Sequence, residues 1–247
     1  MKTAAFLDID GTLYRNSLLI EHFKKMVKYE IIDPMLWHTS VKSAFVEWRK
    51  RIGEYDDYML ELVSIYYEAL KGRKAVDLEF ISNQVISLHG DIVYRYTRSR
   101  IMWHQLQGHK VFFISGSPDF LVSKMAEKYH IDGYRGTSYL TDKEGKFTGE
   151  VIPMWDSDSK NKAIDDFVRD YDIDLTQSYA YGDTNGDLSM LCRVGHPIAI
   201  NPAKELLLNI KASPELSKKA KVIIERKDLV YELDASVKII GEDQLNL

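Results

Sequence analysis

Apolar and polar positions along the chain follow two rhythms. Ala4-Ala5-Phe6-Leu7 is a short unbroken apolar run that meets Asp8, the pattern of a buried strand running into a loop. From Leu18 to about Gln107 the rhythm is helical. Its clearest stretch sets Tyr55, Tyr58, Met59, Leu62, Val63, Tyr66, Ala69 and Leu70 three and four apart and stops at Gly72. Asp33-Pro34, Gly53 and Gly72 punctuate this region into several helices.

Beyond Gly108 the rhythm switches again. Val111 to Ile114 is a second short apolar run, followed by a helix with Leu121, Val122, Met125, Ala126 and Tyr129 on one face. Gly136 to Ile152, with Asp142-Lys143-Glu144-Gly145 at its centre, predicts a β-hairpin. A helix around Ala163, Ile164, Phe167 and Val168 comes next, then a strand at Tyr179 to Tyr181. A helix from Leu188 to Val194 and a strand at Ile198 to Ile200 follow. Past Asn201-Pro202 the pattern predicts a helix, a short strand at Val222 to Ile224 and a polar end.

Strands alternating with helices predict an α/β fold, a doubly wound parallel sheet covered on both faces. The helical block between the first two strands is far longer than a crossover needs. It reads as an inserted helical cap over residues 16–104, on a discontinuous core of 1–15 and 105–247. In such sheets ligands bind beyond the carboxyl ends of the strands. Three apolar runs end in polar clusters at that edge: Asp8 to Thr12, Ser115 to Ser117, and Asp183 to Asp187.

Composition narrows the class. The 247 residues amount to about 1.6 domains of ordinary size, which suits one core with an appendage. An apolar share of 45% can fill a core and excludes a mainly disordered chain. Lys and Arg total 33 against 37 Asp and Glu, so the broad basic surface of a non-specific nucleic-acid binder is absent. Cys192 is the single cysteine, expected as a core thiol within an apolar helix, and it fits a reducing cytoplasm. The first apolar run is too short for a signal peptide, and no stretch approaches the ~20 apolar residues of a membrane span. The expectation is a cytoplasmic protein without a membrane span or nucleic-acid partner; oligomeric state stays open.

The three clusters carry the candidate chemistry. Asp8 and Asp10 converge if the strand ends in a turn, which Gly11 permits, although Asp-Gly-Thr is also ordinary turn material. Ser115 beside Gly116 suits an anionic oxygen, while Ser117 or Asp119 would cap the next helix, with Pro118 as its first residue. Asp183 and Asp187 offer the hard oxygens that Mg²⁺ takes, or else sit in a solvated loop.

Taken together, Asp8-Ile9-Asp10-Gly11-Thr12, Ser115 in Ser-Gly-Ser, and Gly182-Asp183-Thr184-Asn185-Gly186-Asp187 resemble the haloacid dehalogenase superfamily. The family's lone lysine falls in Asp156 to Ile164, where Lys160 fits best and Lys162 is the alternative. Gly136-Thr137, Phe147-Thr148-Gly149 and Gly195 to Pro202 are similar to the phosphoserine-phosphatase-like branch, so the likeness spans about residues 4–202.

The resemblance implies a Mg²⁺-dependent phosphatase. Asp8 would be the nucleophile and Asp10 the general acid and base. Mg²⁺ would be held by Asp8, the Asp10 carbonyl and Asp183, with Asp187 completing or orienting the shell. Ser115, the Gly116 N–H and Thr12 would hold the phosphoryl group, and Lys160 would neutralise its charge. The acid at Asp10 favours phosphoester chemistry over dehalogenation. A phosphotransferase and a non-catalytic phospho-ligand sensor are the alternatives.

The expected substrate is a small phosphorylated metabolite. Ser17 stands where phosphoserine phosphatases carry an acid, Glu21 lies one turn late, and the helix from Tyr55 to Leu70 contains no arginine; Arg49 and Arg51 precede it. Tyr55, Tyr58, Tyr66 and Tyr67 would line an aromatic pocket or, the favoured alternative, pack among helices. His104 and His109 are assigned no role.

Overall fold

The computed structural model describes residues 1–50, 52 and 55–240, with the side chains of residues 55 and 56 excepted. Arg51, Gly53 and the Tyr55 side chain, singled out above, lie outside the described residues.

Among the described residues there are eight strands: β1 (Ala4–Leu7), β2 (Lys110–Pro118), β3 (Gly133–Thr141), β4 (Phe147–Ile152), β5 (Tyr179–Gly182), β6 (His196–Ile200), β7 (Lys221–Arg226) and β8 (Leu229–Asp234). They form one sheet in the order β4-β3-β2-β1-β5-β6-β7-β8. The six strands from β3 to β7 in that order run parallel, and β4 and β8 close the two edges antiparallel. This is the mixed α/β, largely parallel architecture that the alternating pattern predicts.

Every residue of β1 is buried because helices cover both faces. Ala5 and Leu7 face a layer containing α1 (Leu18–Lys28), α4 (Tyr55–Leu70), α5 (Ala75–His89) and α7 (Asp119–Tyr129). Ala4 and Phe6 face the other, built from α8 (Ser157–Tyr171), α9 (Leu188–Arg193), α10 (Lys204–Ala212) and α11 (Leu216–Lys219). Two shorter helices, α2 (Pro34–Leu36) and α3 (Lys42–Arg49), lie between α1 and α4. The last helix before β2, α6 (Arg95–Leu106), packs on β1 and β2.

The helices between β1 and β2 pack on the rest through α5 against α7 and α6 against β1 and β2, and two sets of backbone hydrogen bonds add to this. Their entry and exit segments pair with each other, with Tyr94 N donating to Leu13 O at 2.8 Å and Arg15 N to Ile92 O at 3.0 Å. Far from there, the α4–α5 turn is clasped to the β3–β4 hairpin. Gly72 N donates to Phe147 O (2.8 Å), Phe147 N to Arg73 O (2.9 Å) and Ala75 N to Gly145 O (2.9 Å).

Two sequence expectations need correction, on the tail and on Cys192, while the favoured packing of the α4 tyrosines holds at Tyr58 and Tyr66. The tail carries a full edge hairpin, because β8 pairs along β7. Leu229, Val230 and Tyr231 are all exposed on it, so no buried face marks the strand by alternation. Cys192 is exposed, not a core thiol, since α9 turns Met190 and Leu191 inward and the next position outward. Tyr58 and Tyr66 are fully buried and so serve packing, while half-buried Tyr67 packs edge-on to Tyr139. Among the described residues no helix is long and apolar enough to cross a membrane.

The first layer encloses a polar pair with a pH signature. His22 is fully buried, its Nδ1 2.9 Å from the Tyr66 hydroxyl and its Nε2 3.3 Å from Ser82 Oγ. Ser82 Oγ already donates to Leu78 O, so Nε2 carries the proton and Nδ1 accepts from Tyr66. Burial pushes His22 down to about 4. Unfolding returns it to ~6.5, so between those values only the unfolded chain takes up the proton, and stability falls as pH falls. The expected loss from this residue is about 2 kcal/mol by about pH 5. Buried acids elsewhere titrate in the opposite sense, so the clean measurement is a difference. The urea stability of wild type minus that of His22→Gln shrinks by that amount between about pH 7 and about pH 5. A pH-independent difference would show His22 titrating in the fold as it does in the unfolded chain.

Candidate active site

All the chemistry gathers at the carboxyl edge of the central strands. Past β1 the chain turns sharply, with Leu13 N and Tyr14 N both donating to Ile9 O at 2.9 and 2.7 Å. Gly11 sits in this turn at φ +84°, and a Cβ on it would lie 2.0 Å from Asp183 Oδ2. Only glycine satisfies both the backbone and that approach. The turn projects Asp8 and Asp10 to different neighbours.

Asp8 faces Lys160. The lysine sits in the first turn of α8, whose amino end is capped by Asp156 accepting from Ser159 N at 2.8 Å. Buried at 3% exposure, Lys160 places Nζ 3.2 Å from Asp8 Oδ1 and 2.5 Å from Asp187 Oδ1. Lys162 is exposed. Burial alone would lower the Lys160 ammonium, but Asp187 and Asp8 outweigh it and hold it above its ordinary range.

Asp187 is aimed by its own loop, where Oδ2 accepts from Asp183 N (3.0 Å) and Thr184 N (3.1 Å). Asp183 accepts at Oδ1 from the Thr12 hydroxyl at 2.9 Å. Asp8, Asp183 and Asp187 each bring one oxygen within 4.8 Å of the others. The cluster is short of positive charge. Burial, with Asp187 and Asp10 adding, pushes Asp8 up to about 8 despite Lys160. Burial and the charge of Asp8 push Asp183 well above the usual carboxylate range. Three carboxylates against one ammonium, all hard oxygens, are the donor set that a divalent cation would complete.

Asp10 is held apart from this cluster by a different set of partners. Its Oδ1 accepts from Leu18 N, the first amide of α1, at 2.9 Å. Its Oδ2 accepts from Ser117 Oγ at 2.5 Å and Ser17 Oγ at 3.4 Å. Those bonds favour the carboxylate, yet burial outweighs them and pushes Asp10 up to about 6. Ser115 is fully buried beside it, its Oγ accepting from Ser117 N at 3.2 Å. Gly116 O is pinned by the Thr137 hydroxyl at 2.7 Å.

Asp8, Asp10, Thr12, Ser115, Gly116, Lys160, Asp183 and Asp187 thus come together at one edge. Ser117 and Ser17 are additions to the expected set. Ser117 reads as a helix cap in the sequence, but its hydroxyl turns to Asp10, and Pro118 precedes α7 without a side-chain cap. A serine seven residues after Asp10, at the start of a helix, was the available signal for Ser17.

Residues 5–192 match the haloacid dehalogenase-like hydrolases. The chain belongs to that family. A Streptomyces azureus protein named "Inhibition of morphological differentiation protein" is 28% identical over 207 residues, which cover 83% of this chain and 74% of that one. The phosphoserine phosphatase of Methanocaldococcus jannaschii is 32% identical over 124 residues, half of this chain and 54% of its own. A solved phospho-aspartyl intermediate analogue of phosphoserine phosphatase superposes with TM-score 0.58 at 21% identity, covering 92% of this chain and 95% of that one. This haloacid dehalogenase-like hydrolase is a phosphomonoesterase of the phosphoserine-phosphatase-like branch. Phosphatases of the family generally use a divalent metal.

Proposed function

We propose that the chain hydrolyses a small phosphomonoester in two steps, with Mg²⁺ as the metal. The observation that carries this reading is the separation of two neighbouring acids. Asp8 is paired with Lys160, while Asp10 is turned away onto Ser117 and the amino end of α1 and pushed up to about 6.

In the first step an Asp8 oxygen attacks phosphorus, the ester P–O bond breaks, and the Asp10 proton goes to the departing alkoxide. In the second, Asp10, now a carboxylate, takes a proton from the water that attacks the aspartyl-phosphate. Phosphate leaves and both acids return to their starting states. A carboxyl near 6 can donate and accept at neutral pH. Ser115 and the Gly116 N–H hold a phosphoryl oxygen, Thr12 supports Asp183, and Lys160 balances the charge that spreads onto the transferring group. Asp8, Asp183 and the Asp10 carbonyl would hold Mg²⁺, with Asp187 orienting the shell. When bound, the cation supplies further positive charge for the phosphoryl oxygens.

In the same reading, residues 16–104 form a cap that excludes water and contacts the leaving group, with its α6 end resting on the sheet. Phosphoserine is not the substrate favoured by this cap. The Ser17 hydroxyl is committed to Asp10 and to capping α1, Glu21 is paired with Lys24 at 2.8 Å, and α4 carries no arginine.

The test is phosphate release from phosphoserine, histidinol phosphate, phosphocholine, lysophospholipids and an aryl phosphate. Mg²⁺-dependent hydrolysis is expected, abolished by EDTA and unchanged by added alcohols. Turnover that survives EDTA would remove the metal from the reading. Phosphate yield falling as alcohol rises would favour transfer, and no turnover on any ester would leave a binding protein.

A further inference from the structure

Trp155 is a large apolar side chain that the site leaves half in water, at 48% exposure. It lies on the connection between β4 and α8, one residue before the Asp156 cap. Its main chain passes between two glycines of the site loops. A Cβ on Gly116 would lie 3.2 Å from Trp155 Cβ, and one on Gly186 would lie 2.9 Å from Trp155 O. The segment is anchored there by Met154 N donating to Thr137 Oγ1 at 3.3 Å, the same hydroxyl that pins Gly116 O. The loops bearing Ser115, Lys160 and Asp183 therefore meet at Trp155. Among the described residues its indole stacks on no other ring.

Tyr58 and Tyr66 of α4 supply no aromatic surface here, because both are buried in packing. Nor do the cap residues discussed above supply a charged pair to read an amino acid. What the rim presents beside Gly116 is a flat apolar face, held by the backbone of both loops.

We propose that Trp155 is the specificity-determining residue for the leaving group, and that it selects phosphomonoesters of flat aromatic or heteroaromatic alcohols by stacking. The proposal rests on the phosphatase reading above. An indole face attracts a flat ring more than an alkyl chain of similar reach, by an amount worth about tenfold in binding. Small polar alcohols gain nothing from it.

The test compares phenyl phosphate with ethyl phosphate as substrates, and phenylphosphonate with methylphosphonate as unreactive ligands measured by calorimetry. Trp155→Ala is expected to cut the phenyl-over-ethyl preference about tenfold, through KM rather than kcat, and the phosphonate preference equally. Trp155→Phe is expected to keep most of both. An equal weakening of both members of each pair would overturn the proposal, reducing Trp155 to a prop for the Gly116 loop. Unchanged preferences would overturn it as well, by placing the indole outside the leaving-group site. A wild-type protein that binds both phosphonates but hydrolyses neither ester would sink the phosphatase reading alone. One that binds neither phosphonate sinks both.

Discussion

Asp8→Asn is expected to end phosphate release while making the metal-free protein more stable. The activity loss follows from removing the attacking oxygen, and changes of that kind cost on the order of 10⁴- to 10⁶-fold. The stability gain follows from the charge balance. Burial pushes Asp8 up to about 8, so at neutral pH the fold carries a carboxyl that resists ionising, whereas the unfolded chain ionises it freely. A group raised in this way stabilises the fold only at low pH, and its contribution is lost as pH rises towards 8. Asparagine keeps the shape without the charge, and Lys160 retains Asp187 at 2.5 Å. Calorimetry in EDTA should therefore show a higher Tm for the variant, and the gap should narrow when Mg²⁺ is supplied to wild type. Full activity in the variant would remove Asp8 from the chemistry; a lower Tm would mean the carboxylate is a net stabiliser.

Lys160→Met carries the opposite expectation for stability and the same one for rate. Lys160 is the buried cation among Asp8, Asp183 and Asp187. Removing one partner of a buried ionic group leaves uncompensated charge and costs ~3–5 kcal/mol. Phosphate release should fall by about 10²- to 10³-fold, the usual effect of deleting a charge-stabilising donor. Mg²⁺ should restore much of the stability by replacing the missing positive charge, but little of the rate. Urea unfolding with and without the metal, beside exposed Lys162→Met as the near-neutral control, separates these effects. Wild-type stability of Lys160→Met in EDTA would show the acids sitting protonated without it.

Much of the fold was legible because its strands are buried on both faces. Ala4 to Leu7 and Val111 to Ile114 had to be unbroken apolar runs, and the polar residues that end them had to lie at one edge. Asp8, Asp10, Ser115 and Asp183 could be picked out for that reason. Lys160 needed the family pattern, since a lysine at a helix start is otherwise unremarked. Other features lacked local signals. Ser117 looks like a cap because its partner, Asp10, is 107 residues away. The strand β8 buries too little of either face to alternate, and Cys192 sits one residue beyond the last inward position of a short helix. Trp155 is a single loop residue, and only the approach of Gly116 and Gly186 places it.

The clasp between the α4–α5 turn and the β3–β4 hairpin bears on how the helices over the site can move. A body joined to another through one paired connection keeps a rotational degree of freedom about it. Here the paired segments near Leu13 and Tyr94 supply such an axis, and the three backbone bonds at Gly72, Arg73 and Ala75 lie away from it. A second anchor off the axis removes that rotation unless the bonds at Phe147 and Gly145 first break. Any swing of these helices about that axis must therefore break the hairpin bonds and also part α5 from α7, so the two bodies hold together as one unit.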